Sequence, residues 1–304
     1  KIILLSFAIT IVLAFIIIPI LKKLKIGQIE RVEGPQSHLK KQGTPTMGGI
    51  IMIIVIILVG AVMFIDYFRS TDTGEKQVAQ NLLPIIAVTV GFGIIGLIDD
   101  LKKLIGKNTE GLKPAYKMIG LLIVSVGFSL YLTEIMHFEP QIYIPFLSST
   151  NAINLTDGID GLSTSVTTII LTCLTIISVI FGVKEVTVFG SILIGTCLGF
   201  LLFNLYPAKV MMGDTGSLLL GGAIAGIAIY LKMPLLLLII ALVPILETLS
   251  VIIQVTYFKK TGNRIFKMAP LHHHFELSGW RENRVVGVFS LITLIAAIIG
   301  IFSI

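Results

Sequence analysis

Long apolar runs separated by short polar breaks set the pattern of this chain. Windows of roughly 17 to 25 apolar residues, the length needed to cross a hydrocarbon core of about 30 Å, fall at 2–21, 47–65, 81–98, 116–133, 142–156, 163–183, 186–206, 216–233, 234–258 and 285–304. The pattern predicts an all-α polytopic membrane protein with about ten transmembrane helices, forming one integral-membrane domain over residues 1–304. The fifth window is short and ends in the polar run NAINLTDGID. It is counted because the later loops otherwise fall on inconsistent sides. Residues 134–148, with prolines and β-prone side chains, predict a short hairpin between helices 4 and 5. Pro244 predicts a kink in the ninth span. Gly195-x-x-x-Gly199 and Gly222-x-x-x-Gly226 permit close helix approach, within one subunit or along a homodimer seam.

The basic residues orient this array. If the first helix runs inward, the inner loops hold the clusters at 22–41, 102–117, 209 and 259–284, which together contain 18 of the 23 lysines and arginines. Lys1, Arg69, Lys76, Lys184 and Lys232 stay outside. Both termini are therefore expected on the periplasmic side, with the hairpin. The net charge of +6 is this topology signal rather than a sign of nucleic-acid binding. With 55% hydrophobic and 13% charged residues, the chain leaves no room for a sizeable soluble domain. The first span has a basic start, but its apolar region is too long for a signal peptide, has no Ala-x-Ala site and runs into Lys22 to Lys25. It is expected to be retained. Cys173 and Cys197 lie inside spans and read as small packing residues.

Against this apolar background the polar groups stand out. Gly43-Thr-Pro-Thr-Met-Gly-Gly49 offers glycines and hydroxyls for a phosphate, or a turn with Thr46 as helix N-cap; the Walker sequence is missing. Asp99 and Asp100 end the third span. Adjacent helical residues diverge by about 100°, so the pair suits two partners better than one clamp. Lys103, four residues beyond Asp99, can pair with either. Lys103 and Lys117 can hold phosphates as point charges or merely mark the inner face. Asn154, Asp157 and Asp160 recur every three residues along one helix face, and Gly158 and Gly161 let backbone approach a ligand. Asp214 is either an N-cap or a Mg²⁺ ligand at a helix start. Glu247 is an acid inside the ninth span, with Gln254 two turns along the same face. His272, His273 and His274 point in different directions, so one metal cannot take all three, and contacts to anionic oxygens suit them better. The orientation above puts the aspartates and histidines on the inner face. That arrangement suggests Mg²⁺-assisted chemistry between a phosphorylated cytosolic substrate and a lipid.

GTPTMGG, GLIDDLKK, NAINLTDGIDGL, MGDTGSL and APLHHHFE, in this order over nearly the whole chain, resemble the polyprenyl-phosphate N-acetylhexosamine-1-phosphate transferases. GTPTMGG together with APLHHHFE resembles the phospho-N-acetylmuramoyl-pentapeptide branch of that family. The resemblance implies an enzyme of the bacterial cytoplasmic membrane with its active site on the cytoplasmic face. It implies Mg²⁺-dependent transfer of phospho-MurNAc-pentapeptide from UDP-MurNAc-pentapeptide to undecaprenyl phosphate, giving lipid I and UMP. It assigns the metal to Asp214, and the lipid phosphate or metal positioning to Asp99 and Asp100. Asn154, Asp157 and Asp160 fall to the nucleotide and pyrophosphate, supported by Lys103, Lys117, Gln254 and His272 to His274. A transferase that uses UDP-GlcNAc shares the aspartates and is one alternative. An ion-coupled transporter is another, although carriers place their sites nearer mid-membrane.

Overall fold

The computed structural model describes residues 1–24, 43–106, 111–137 and 145–304, and among these every regular element is helical. In chain order they are α1 (Ile2–Lys23), α2 (Gly49–Phe68), α3 (Thr73–Gly106), α4 (Pro114–Leu130), α5 (Pro145–Thr156), α6 (Leu162–Ile180) and α7 (Lys184–Asn204), then α8 (Gly213–Tyr230), α9 (Leu237–Ile240), α10 (Leu242–Thr261), α11 (Leu271–Leu277) and α12 (Glu282–Phe302). A π-helical turn, Tyr131–Ile135, extends α4. Nine helices among the described residues are long and apolar enough to cross a membrane, one for each predicted window except the fifth. There the described helix is α5, 12 residues long. At 1.5 Å per residue it covers about 18 Å, short of the hydrocarbon thickness. The core of the predicted hairpin, 138–144, lies outside the described residues; of its described flanks, 134–135 and 145–148 are helical, and 136–137 are not.

The chain is organised around α8, in which every residue from Thr215 to Tyr230 is buried. Its small residues allow this. A Cβ at Gly222 would run into the Phe92 ring, and one at Gly226 would touch Val88 at 3.4 Å. The second glycine pair therefore serves α3–α8 packing within the subunit. Gly195 and Gly199 do the same for α7 against Ile3, Ser6, Phe7 and Thr10 of α1. The face that α3 gives to this packing includes Leu82, Ile85, Thr89, Phe92 and Gly96, a stripe at helical spacing that ends in the buried Asp99 and Asp100. Large apolar side chains on the outer helices, such as Leu4, Phe15, Ile123 and Phe302, are exposed, as a lipid-facing belt requires.

The ninth window is interrupted rather than bent. A 3₁₀ turn, Pro234–Leu236, leads into α9, the chain breaks at Ala241 (φ −100°, ψ 27°), and α10 begins at Leu242. Pro244 is the cause: it has no N–H for the carbonyl four residues back, and its ring crowds that turn. The break accordingly falls just N-terminal to the proline. At the bundle end away from Asp99, Glu185 Oε1 accepts from Asn81 Nδ2 at 3.0 Å and from the Tyr230 hydroxyl at 2.6 Å, tying α3, α7 and α8 together. Residues 81 and 99 of α3 are about 27 Å apart along the helix, close to the hydrocarbon thickness.

Candidate active site

The predicted α3 acids, the α8 aspartate and both lysines converge at one end of the α3–α8 pair. Each of Asp99, Asp100 and Asp214 has a carboxylate oxygen within 4.8 Å of the others. Lys103 Nζ lies 2.7 Å from Asp99 Oδ2, 3.7 Å from Asp100 Oδ1 and 2.7 Å from Asp214 Oδ2. The i+3 and i+4 spacing predicted the first two contacts; the third joins α3 to α8. Lys117, in the first turn of α4, adds 2.9 Å to Asp214 Oδ2 and 4.0 Å to Asp99 Oδ2. Two ammonium groups thus face three carboxylates in a site where Asp99 and Asp100 are almost fully enclosed. Low water content strengthens each of these interactions.

The two α3 aspartates serve different partners, as their divergence on the helix requires. Asp100 Oδ2 accepts the Thr215 amide at 2.9 Å and its hydroxyl at 2.7 Å, and Oδ1 accepts the Asp214 amide at 3.2 Å. It satisfies the first turn of α8, where free N–H groups and the helix dipole favour an anion. Asp99 Oδ1 accepts the Leu112 amide at 2.6 Å and so fixes the chain just before α4. Asp214 is the second residue of α8, two positions past the N-cap at Met212. Its side chain does not cap the helix but turns toward the lysines and Asn154. Asn154 Nδ2 reaches Asp214 Oδ1 at 2.6 Å and Ser217 Oγ at 2.8 Å, which brings α5 into the same site.

The GTPTMGG segment neither caps α2 with Thr46 nor follows a phosphate-loop pattern. The N-cap is Gly48. The segment is clasped to the lead-in of α8 by backbone bonds: Met211 N–H to Pro45 O at 2.8 Å, Gly48 N–H to Met211 O at 2.9 Å and Gly49 N–H to Met212 O at 2.9 Å. A Cβ at Gly49 would strike the Gly216 backbone. Gly213, at φ +69°, sits where a Cβ would meet Asp100 Oδ2 at 2.7 Å and Thr46 Oγ1 at 2.9 Å. Thr46 is thereby placed beside the acids.

Other predicted site residues lie around this cluster with partners of their own. The Asp157 amide closes a turn onto Asn154 O at 3.3 Å. Asp160 is buried, its Oδ2 accepting the Ala208 amide at 2.9 Å while its own N–H points to Glu282 Oε2 at 3.4 Å. Gln254 clasps the segment after α10: Oε1 accepts the Ile265 and Phe266 amides at 3.1 and 2.9 Å, and Nε2 donates to Phe266 O at 3.2 Å. Gln254→Ala frees those amides, at about 1 kcal/mol per lost bond. Trypsin is expected to cut the folded variant at Arg264 or Lys267 roughly tenfold faster than the parent, and unchanged cleavage would contradict the clasp. His273 Nδ1 pairs with Glu276 Oε2 at 3.0 Å, and His274 Nδ1 accepts the Lys267 amide at 3.1 Å. His272 connects to the aspartates through α5, since Gly158, four residues after Asn154, abuts its ring.

Thr215, Ser217 and the Leu112 amide complete the site without having been singled out. Thr215 and Ser217 were visible in the motif MGDTGSL, next to Asp214 and one turn beyond it. Nothing local marks Leu112.

The family model described as Glycosyl transferase family 4 matches residues 82–232. Phospho-N-acetylmuramoyl-pentapeptide-transferase signature 1 matches residues 41–53. Three similar proteins all carry the name phospho-N-acetylmuramoyl-pentapeptide-transferase. The one from Clostridium perfringens (strain 13 / Type A) is 49% identical over 99% of this chain and 97% of its own length. Clostridium botulinum (strain Alaska E43 / Type E3) has one that is 48% identical over 98% of this chain and 94% of its own length. That from Acetivibrio thermocellus is 45% identical over 98% of this chain and 93% of its own length.

Proposed function

The chain belongs to the phospho-N-acetylmuramoyl-pentapeptide-transferase family, and from that premise we propose that it transfers phospho-MurNAc-pentapeptide from UDP-MurNAc-pentapeptide to undecaprenyl phosphate, forming lipid I and releasing UMP. The observation that carries this reading is the meeting of Asp99, Asp100 and Asp214 with Lys103 and Lys117 at one end of the buried α3–α8 pair. Two phosphorylated reactants repel each other, and this is a place built of fixed charges that can hold them together. The bias of basic residues toward one set of loops supports a site on the cytoplasmic face of the cytoplasmic membrane, where a soluble nucleotide donor and a lipid acceptor can both reach it.

The carboxylates also fit Mg²⁺. They are hard oxygen donors from three side chains within 4.8 Å of one another, the ligand chemistry that this ion selects. Asp214 would hold it, with Asp99 and Asp100 alongside. Bound there, the ion neutralises negative charge on the donor pyrophosphate. Lys103 and Lys117 bind phosphate oxygens as point charges. Asn154 orients Asp214 through Oδ1, and Asp100 fixes the backbone from which Asp214 projects. Asp157, Asp160, Gln254 and the histidine run shape the nucleotide side.

No general base is required of the chain. The second pKa of a phosphate monoester is near 6, so the lipid phosphate is mostly a dianion at pH 7 and can attack the β-phosphorus in line as UMP leaves. Trapping a phosphorylated Asp99 or Asp100 that forms and decays at the catalytic rate would replace this with a two-step route. The reaction itself is tested with purified protein, radiolabelled UDP-MurNAc-pentapeptide and undecaprenyl phosphate, with and without Mg²⁺. Label is expected in the lipid phase with stoichiometric UMP, only when the ion is present. Transfer from UDP-GlcNAc in its place would reassign the donor, and no transfer from either would end the reading.

A further inference from the structure

Away from the aspartate cluster, a carboxylate and an imidazole enclose each other. Glu247, three residues after Pro244 in α10, and His272, at the start of α11, are both 0% exposed. Glu247 Oε1 accepts the His272 backbone N–H at 3.2 Å. His272 Nδ1 lies 3.2 Å from the same oxygen, near enough for an ion pair but not aligned for a hydrogen bond. Among the described residues, Glu247 Oε2 and both ring nitrogens of His272 find no hydrogen-bond partner. Leaving that much polar capacity idle in an apolar interior is costly, so packing alone is a poor account of the pair. His273 lies tilted against the His272 ring, with centroids 4.1 Å apart, and pairs with Glu276.

The other edge of the ring faces the turn that follows α5. A Cβ at Gly158 would collide with His272 Nε2, so the glycine is what lets the imidazole sit directly under the turn between Asp157 and Asp160. One helical turn earlier on α5, Asn154 holds Asp214. The contacts therefore run from the membrane-embedded Glu247 through His272 to the turn at 157–161, and through α5 to the acidic cluster.

We propose that Glu247 is a positioning residue for the donor side of the reaction: it anchors His272 by accepting its backbone N–H and lies against Nδ1, and the anchored ring sets the height and tilt of the 157–161 turn against a nucleoside-diphosphate ligand. The inference rests on the transferase reading above and adds to it a residue that touches no substrate. A residue acting this way changes how the donor is held and leaves the lipid acceptor alone.

The test uses the full chain in detergent with E247Q, which keeps volume and one acceptor oxygen, and E247L, which keeps neither. Expected is a rise of about tenfold in KM for UDP-MurNAc-pentapeptide in E247L and a smaller one in E247Q, with KM for undecaprenyl phosphate within about twofold of the parent. E247L/H272A should bind donor no worse than H272A alone, since the first change acts through the second residue. In ¹⁵N-histidine spectra, the His272 Nδ1 signal should shift in E247Q. Equal rises in both KM values, an unchanged donor KM, or additive losses in the double variant would overturn the proposal. If E247L does not fold, E247Q carries the same comparison. A parent protein without transfer activity but with the ¹⁵N shift in E247Q would sink the reaction and leave the Glu247–His272 contact standing.

Discussion

Asp214→Asn is expected to lower the initial rate of sugar-phosphate transfer by at least 10²- to 10³-fold, the scale on which a single fixed electrostatic contributor acts, while leaving the protein folded. Asparagine keeps one acceptor oxygen, enough for the two lysines or for Asn154 Nδ2 but not for both, because they meet different oxygens of Asp214. What it removes is the charge to which both ammonium groups point. Asp214→Ala goes further and strands Lys103 and Lys117 without that partner; breaking a buried pair costs about 3–5 kcal/mol, reduced here by the partial exposure of both lysines. Thermal unfolding followed by circular dichroism should therefore separate the two variants, with asparagine below the parent and alanine lower still. Asp100→Asn is expected to lose rate and stability together, because its carboxylate holds the first turn of α8 through three hydrogen bonds. An Asp214→Asn enzyme with more than a tenth of the parent rate would remove Asp214 from the centre of the chemistry.

The second large effect comes from a residue with no functional group. Gly96→Ala adds one carbon that would meet the Thr215 nitrogen at 2.7 Å and the Asp214 backbone closer still. Ordinary carbon contacts need about 3.5 Å or more, so α3 must move roughly 1 Å away from the start of α8. Asp100 and Asp214 then separate by a similar amount, and a 1 Å misplacement in a reacting site can cost about 10²-fold in rate. The same substitution at Gly127 is the control. Nothing lies within 4 Å of a Cβ there, and alanine is the better helix former by about 1 kcal/mol. Gly127→Ala should match or exceed the parent in stability and rate. Equal behaviour of the two alanine variants would refute the account of the α3–α8 contact.

These predictions draw on features that the sequence exposes to different degrees. Apolar windows locate the nine long helices, because the bilayer imposes length and composition on each span independently. The Lys103 pairs with Asp99 and Asp100 could be read from spacing, since both ends lie on one helix. Asp214 could be singled out but not oriented. Whether it capped its helix depended on a loop conformation, and Gly213, with its positive φ, moves the helix start so that the aspartate faces Asn154. The clasp of 45–49 onto 211–212 was illegible, being made of backbone groups far apart in sequence. GTPTMGG therefore looked like a ligand loop or an N-cap when its glycines serve a close approach. Pro244 announced a disturbance correctly, and the displacement of the break to Ala241 follows from the reach of its ring. Gln254 and Asp160 carried the right residue types for ligands, yet the structure spends much of their hydrogen-bonding on the main chain of neighbouring loops.

The burial of α8 from Thr215 to Tyr230 has a consequence for how the enzyme meets its surroundings. A helix that touches no lipid is insulated from the bilayer's thickness and fluidity, which act first on the outer ring of helices. Changes in acyl-chain length should then alter how readily a long polyprenyl tail finds its way in, while the strength of the bond-making step stays constant. Activity measured across membranes of different composition would vary in acceptor KM and hold steady in kcat.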